Sequence, residues 1–142
     1  MFRHCIWLCV FAVGCESNAP SVADPKATEF KEAAAKFLEE VRGIATEMDQ
    51  NLTADEAQKL ADKVQELHAH LPEVPPPFSK DSELVANLKE LPKAAAWNAL
   101  VTKNEDDAIE AGKQVDDRNS PKAANVLRDL CTKIENAIHS KK

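Results

Sequence analysis

From about residue 24 onward, apolar residues fall at intervals of three and four, the spacing that gathers them on one face of an α-helix. Phe30, Ala33, Phe37, Val41, Ile44 and Met48 form one stripe, and Ala57, Leu60, Ala61, Val64, Leu67 and Leu71 a second. A third runs through Trp97, Leu100, Val101, Ala108, Ala111 and Val115, with Asn104 standing in an apolar position. Ala123, Leu127, Leu130, Ile134, Ala137 and Ile138 make the fourth. No stretch alternates with period two, and the chain has only three glycines, so strands and their tight turns find no support.

The ends of these helices carry their own chemistry. Asp24-Pro25 and Ser120-Pro121 each place a capping side chain before a proline at the first helical position, and Leu91-Pro92 offers the proline alone. Thr53-Ala-Asp-Glu56 is a capping box, in which hydroxyl and carboxylate each satisfy an orphan backbone donor. The third helix is therefore expected from Pro92 to about Asp117. The run PEVPPPF, residues 72 to 78, cannot be helical, and SELVANLKEL, residues 82 to 91, predicts a short extra helix between helices two and three. Short connections before helices two and four make those neighbours antiparallel. The expectation is an all-α, up-down-up-down four-helix bundle with a Pro-rich crossover. Each fully buried Leu, Ile or Phe contributes about 1.5–3 kcal/mol, so four such stripes need neither cofactor nor disulfide to hold.

The first fifteen residues, MFRHCIWLCVFAVGC, break this pattern. A basic start precedes an apolar run too short to cross a hydrocarbon core of ~30 Å as a helix. Small residues directly before Cys15 resemble a bacterial lipobox. The expected organisation is a lipoprotein signal peptide over residues 1–14, lipidated Cys15 with a small, polar tether over residues 15–23, and the bundle over residues 24–142. Lipid on Cys15 implies a place in the bacterial cell envelope, anchored to a membrane and facing the periplasm. A plain secretory signal cut near the same point and a buried N-terminal strand are the other two readings.

Loss of Cys5 and Cys9 with the signal, and acylation of Cys15, leave Cys131 as the lone thiol. With no CxxC spacing anywhere, zinc ribbons, thioredoxin-like redox chemistry and covalent c-type haem attachment are excluded. A formal net charge of −6 without a basic cluster argues against nucleic acid and against docking on anionic lipid by charge.

The last helix ends CTKIENAIHSKK, residues 131 to 142. With the Pro-rich crossover EVPPPFSKDS and the four long stripes, this ending resembles the periplasmic four-helix cytochromes of the cytochrome b562 and cytochrome c′ superfamily. Haem-b members of that family end their fourth helix in an Asn-Ala-aromatic-His-polar-Lys pattern. The resemblance implies a haem-ligand role for His139, with Asn136, Ala137 and Lys141 matching its neighbours. The family's second ligand, a Met early in helix one, has no counterpart among Phe30, Phe37 and Leu38, and Met48 lies at the far end. The CxxCH of the haem-c branch is also absent, since Ile134 and Glu135 stand where its second Cys and His would be.

On a helical wheel His139 lies about 160° from the centre of its own stripe, facing water. Beside Lys141 and Lys142 it also suits the negative end of a helix. His68 falls within the second stripe, near the expected meeting point of Phe30, Trp97 and Ile138, and reads either as a hydrogen-bonded core histidine or as a ligand. Trp97 would stack on a cofactor there or fill its place. His70 is expected off the stripe, and Glu39-Glu40, Glu105-Asp106-Asp107 and Asp116-Asp117 are expected on solvated faces. Glu66-Leu-His68 lacks the Glu-x-x-His spacing of di-iron bundles, and nothing builds a nucleophile with an oxyanion loop. The leading expectation is a haem-free binding or interaction module, not an enzyme, with no metal. The alternative is a haem-binding electron-transfer or gas-binding protein using His139 or His68. The protein partner is unidentified, and the Ala-rich third helix offers a route to a homo-oligomer.

Overall fold

A computed structural model describes residues 24–115 and 117–141. The expected signal peptide, the expected lipidation at Cys15 and the expected tether lie outside the described residues. Four α-helices follow one another: α1 (Pro25–Met48), α2 (Ala54–Ala69), α3 (Ser82–Glu110) and α4 (Ser120–Ser140), with a single 3-10 turn at Phe78–Lys80 in the crossover. Among the described residues there is no strand.

Local chemistry sets most of the boundaries. The Asp24 carboxylate accepts the Lys26 N–H at 3.0 Å ahead of Pro25. Thr53 and Glu56 form the reciprocal capping box at the start of α2. Gly112, at φ +77°, ends α3: its N–H donates to the Ile109 carbonyl and the Lys113 N–H to that of Ala108, both at 2.9 Å. This pair of bonds is a Schellman cap, which needs the left-handed backbone that glycine adopts most readily.

The helices pack in the ring order α1, α2, α3, α4, leaving α1 and α3 on opposite corners. Named pairs fix their directions. Arg42 reaches Glu135 at 2.6 Å and Arg128 reaches Asp49, so α1 and α4 run antiparallel. Asp81 meets Lys141 at 3.0 Å at one end of the α3–α4 pair, and Thr102 meets Ser120 at 3.4 Å near the other. The Ala54 N–H donates to Asp106 at 2.8 Å, which sets the start of α2 beside the late part of α3. The expected up-down-up-down bundle is the fold.

Three expectations about helix boundaries need correction, two in α3 and one at the start of α4. Ser82–Leu91 is no separate helix; it is the first part of one continuous α3 with Pro92 inside it. Proline there removes an N–H bond to the Leu88 carbonyl and costs about 3 kcal/mol. The core face nevertheless runs through it without a break, as Leu84, Leu88, Leu91, Ala95, Asn98, Thr102 and Glu105, at strict intervals of four and three. Burial of the three leucines, at about 1.5–3 kcal/mol each, outweighs the defect. Helix α3 also ends at Glu110, well before Asp117, because Gly112 turns the chain. Finally, Ser120 is not the cap of α4. It is the first helical residue and is buried, while Asn119 takes the capping position.

Candidate functional site

The end of the bundle that holds the start of α1, the crossover and the end of α4 is where the resemblance implied a haem. Phe78, which follows three prolines, turns inward from the crossover and packs its ring 5.3 Å from that of Phe30, both rings being fully buried. Lys31 lies over the outer face of Phe78, 5.7 Å from its centroid. Nothing in the apolar periodicity marked Phe78, since it stands in a segment read as loop; the signal was an aromatic residue closing a proline run that has to cross an open end.

His68 is half-buried on α2 with its ring edge-on to Phe37, centroids 6.2 Å apart. It opens onto a shallow apolar groove of about 170 Å³ between α2 and α3, lined also by Leu71, Val74, Val85 and Leu88. His139 is exposed on α4 and borders a small recess of about 60 Å³ against Lys31, Ala35 and Leu38 of α1. The α2–α3 and α4–α1 seams are opposite flanks of the ring, so the two histidines share no cavity. His70 is exposed, its Nδ1–H donating to the Glu66 carbonyl at 2.7 Å.

Trp97 departs furthest from expectation. It stands midway along α3, not at its start, and is 57 % exposed, with Leu100 beside it at 58 %. The stripe of Trp97, Leu100, Val101 and Ala108 is genuine but lies outside, because the inner face belongs to the run from Leu84 to Glu105. His139, His68 and Trp97 thus occupy three separate surfaces. No group of three or more His, Cys, Asp or Glu among the described residues is placed to hold a metal ion.

At the opposite end, the charge run expected on a solvated face is structural. Glu105 is 7 % exposed and accepts the backbone N–H of Asn119 at 3.1 Å together with the Asn119 side-chain amide. Arg118 joins Asp106 at 2.6 Å and lies 3.8 Å from Glu105. Asp106 holds its proton affinity below the usual carboxylate range through Arg118 first and the Ala54 N–H second. The cluster therefore pins the starts of α2 and α4 to α3. Asp107 of that run, Asp117 and the Glu39-Glu40 pair are exposed as expected; Asp116 lies outside the described residues. The signal for Glu105 was its place in the four-and-three spacing that starts at Leu84, visible once Pro92 is allowed inside a helix.

Cys131 is fully buried, and burial pushes its thiol up to about 11. Neighbouring Arg42 favours the thiolate but does not offset this. At neutral pH it is a core residue rather than a nucleophile. No helix of the described residues is long and apolar enough to cross a membrane. Comparison of the chain with protein-family models, with curated proteins and with solved structures finds no match.

Proposed function

We propose that this chain is a lipid-anchored four-helix protein of the bacterial envelope that works by binding rather than by catalysis, with its bundle free of haem. The observation that carries the haem-free part is the packing of Phe30 on Phe78 at 5.3 Å, in the end of the bundle that a four-helix cytochrome gives to its cofactor. Two aromatic rings at 0 % and 1 % exposure leave that end filled by the chain's own side chains. The separation of His68 and His139 onto opposite flanks supports the same reading. The anchor rests on the sequence before Asp24: the short apolar run, the small residues and Cys15. Acylated there, the bundle is confined to the surface of one membrane, where its exposed faces meet partners held on the same surface.

The test uses the full chain produced in a bacterial host. Mass measurement of the membrane-extracted protein is expected to show a chain beginning at acylated Cys15, and Cys15→Ser is expected to release it from the membrane fraction. Hemin added to the same protein is expected to give only a weak, non-saturating Soret band. A sharp stoichiometric band, lost in His68→Ala or His139→Ala, would restore the cytochrome reading.

A further inference from the structure

The outer face of α3 is unlike the rest of the surface. Trp97 and Leu100 stand more than half exposed at its centre, with the half-buried Val101 beside them. The pairs Thr102–Ser120 and Asp81–Lys141 fix the antiparallel register of α3 and α4, and on that register Val126 of α4 lies level with Ala96 and Trp97. Val126 is half exposed and stands one and two heptads before Lys133 and Ser140, which line the α3–α4 groove, so it extends the apolar area across that seam.

Charge is distributed to match. Between Ala86 and Asn104 the exposed charged residues of α3 are Lys89, Glu90, Lys93 and Lys103, with Lys93 3.7 Å from Glu90, and the exposed acidic residues Glu83, Asp107 and Glu110 lie towards the two ends of the helix. On the opposite corner of the ring, α1 turns Glu29, Glu32, Glu39, Glu40 and Glu47 to solvent against Lys26, Lys31 and Lys36. An indole and a leucine ringed by lysines, on an otherwise acidic protein, is the composition of a surface that lies in a lipid–water interface: the ring settles at headgroup level and lysine stems reach back to water.

We propose that this face docks on the membrane that holds Cys15, so that the bundle lies on its side with α3 down and the acidic α1 uppermost. The inference rests on the anchor proposed above. The length of the chain before Asp24 supports it. Residues 16–23 reach at most about 28 Å when extended. With neighbouring helix axes 8–10 Å apart, α1 sits about 13 Å above α3 across the diagonal of the ring, and roughly 5 Å more separates the α3 axis from the membrane surface. The tether spans that height with slack. Because it confines the face beside the bilayer, a small apolar area suffices, and attraction to anionic lipid is not required.

The test uses the lipidated full chain in phosphatidylcholine vesicles. Trp97 is its sole indole, because Trp7 departs with the signal peptide. Bromine placed on the acyl chains near the headgroup is expected to quench Trp97 emission about twofold, as befits an indole at the interface, and the emission is expected to shift to the blue. Leu100→Glu is expected to abolish both effects while the helix content and the mass at Cys15 stay unchanged. Several results would overturn the proposal. Acylated protein whose Trp97 ignores brominated lipid but is freely quenched by aqueous iodide has the anchor without the docking. Blue-shifted emission insensitive to brominated lipid, with cross-linking to a dimer, means that a second copy covers the face. Full quenching retained in Leu100→Glu removes this face from the contact. An unmodified Cys15 defeats the anchor and the docking with it.

Discussion

Asn98 is the least accommodated side chain in the core. It is wholly buried at the centre of the inner face of α3, and neither its amide oxygen nor its nitrogen has a hydrogen-bond partner. Its polar neighbours along that face do better: Thr102 has the Ser120 hydroxyl and Glu105 has Asn119. A buried polar group left unpaired costs about 1–3 kcal/mol, whereas an apolar group of similar shape costs nothing of the kind. Asn98→Leu is therefore expected to raise stability by about 1–2 kcal/mol, read as a higher urea midpoint at unchanged slope. A lower midpoint would mean that the amide is satisfied in solution.

Helix α3 is where sequence and structure part company, and the reason is physical. Helices α1, α2 and α4 each have one apolar stripe and a recognisable start, so their extents and core residues could be read directly, from Phe30 to Met48 and from Leu127 to Ile138. Helix α3 carries two periodic stripes. The outer one, with Trp97 and Leu100, is the more hydrophobic in its second half; the inner one turns polar there, with Asn98, Thr102 and Glu105. Hydropathy favours the wrong stripe, and only the partners supplied by Arg118, Asn119 and Ser120 make the polar one suitable for burial. Pro92 compounds the difficulty, because a proline is a good start signal and a poor interior residue, and nothing local says that flanking burial overrides it. The candidate site was legible only in part: His139 stands exposed as its wheel position indicated, but Phe78 filling the bundle end depends on a loop conformation that periodicity does not encode. Since Pro92 has no N–H to donate to the Leu88 carbonyl, Pro92→Ala is expected to stabilise the protein by about 1–3 kcal/mol and raise its thermal midpoint. A fall would show that the proline sets the packing of the Leu84–Leu91 segment.

Across the whole molecule, helix is tied to helix by carboxylates. Asp49 joins α1 to Arg128 of α4, Glu135 joins α4 to Arg42 of α1, Asp81 joins the start of α3 to Lys141, and Asp106 joins α3 to Arg118 and the start of α2. Each holds its proton less tightly than an ordinary carboxylate, because of Arg128 for Asp49, Arg42 for Glu135, the Leu84 N–H for Asp81 and Arg118 for Asp106. A group depressed in the folded state stabilises it fully above the unfolded pKa, near 4 for these side chains, and loses that contribution as pH falls through the folded pKa. The thermal midpoint is therefore expected to hold between pH 7 and 5 and to drop below about pH 4, with a smaller drop in Asp106→Asn, which cannot titrate. An identical acid profile in that variant would remove Asp106 from the set.

The Lys31 ammonium stands 3.5 Å from the Lys141 carbonyl, so both ends of the described chain leave the same end of the bundle. On the anchored arrangement proposed above, a purification handle or fluorescent protein fused after Lys142 would emerge beside the segment that precedes Asp24. It would crowd the bilayer and prop the bundle upright, which defeats a sideways pose without touching a single residue of α3. The exposed Gln50–Asn51 turn at the other end is the port through which cargo could be carried with the proposed pose left alone.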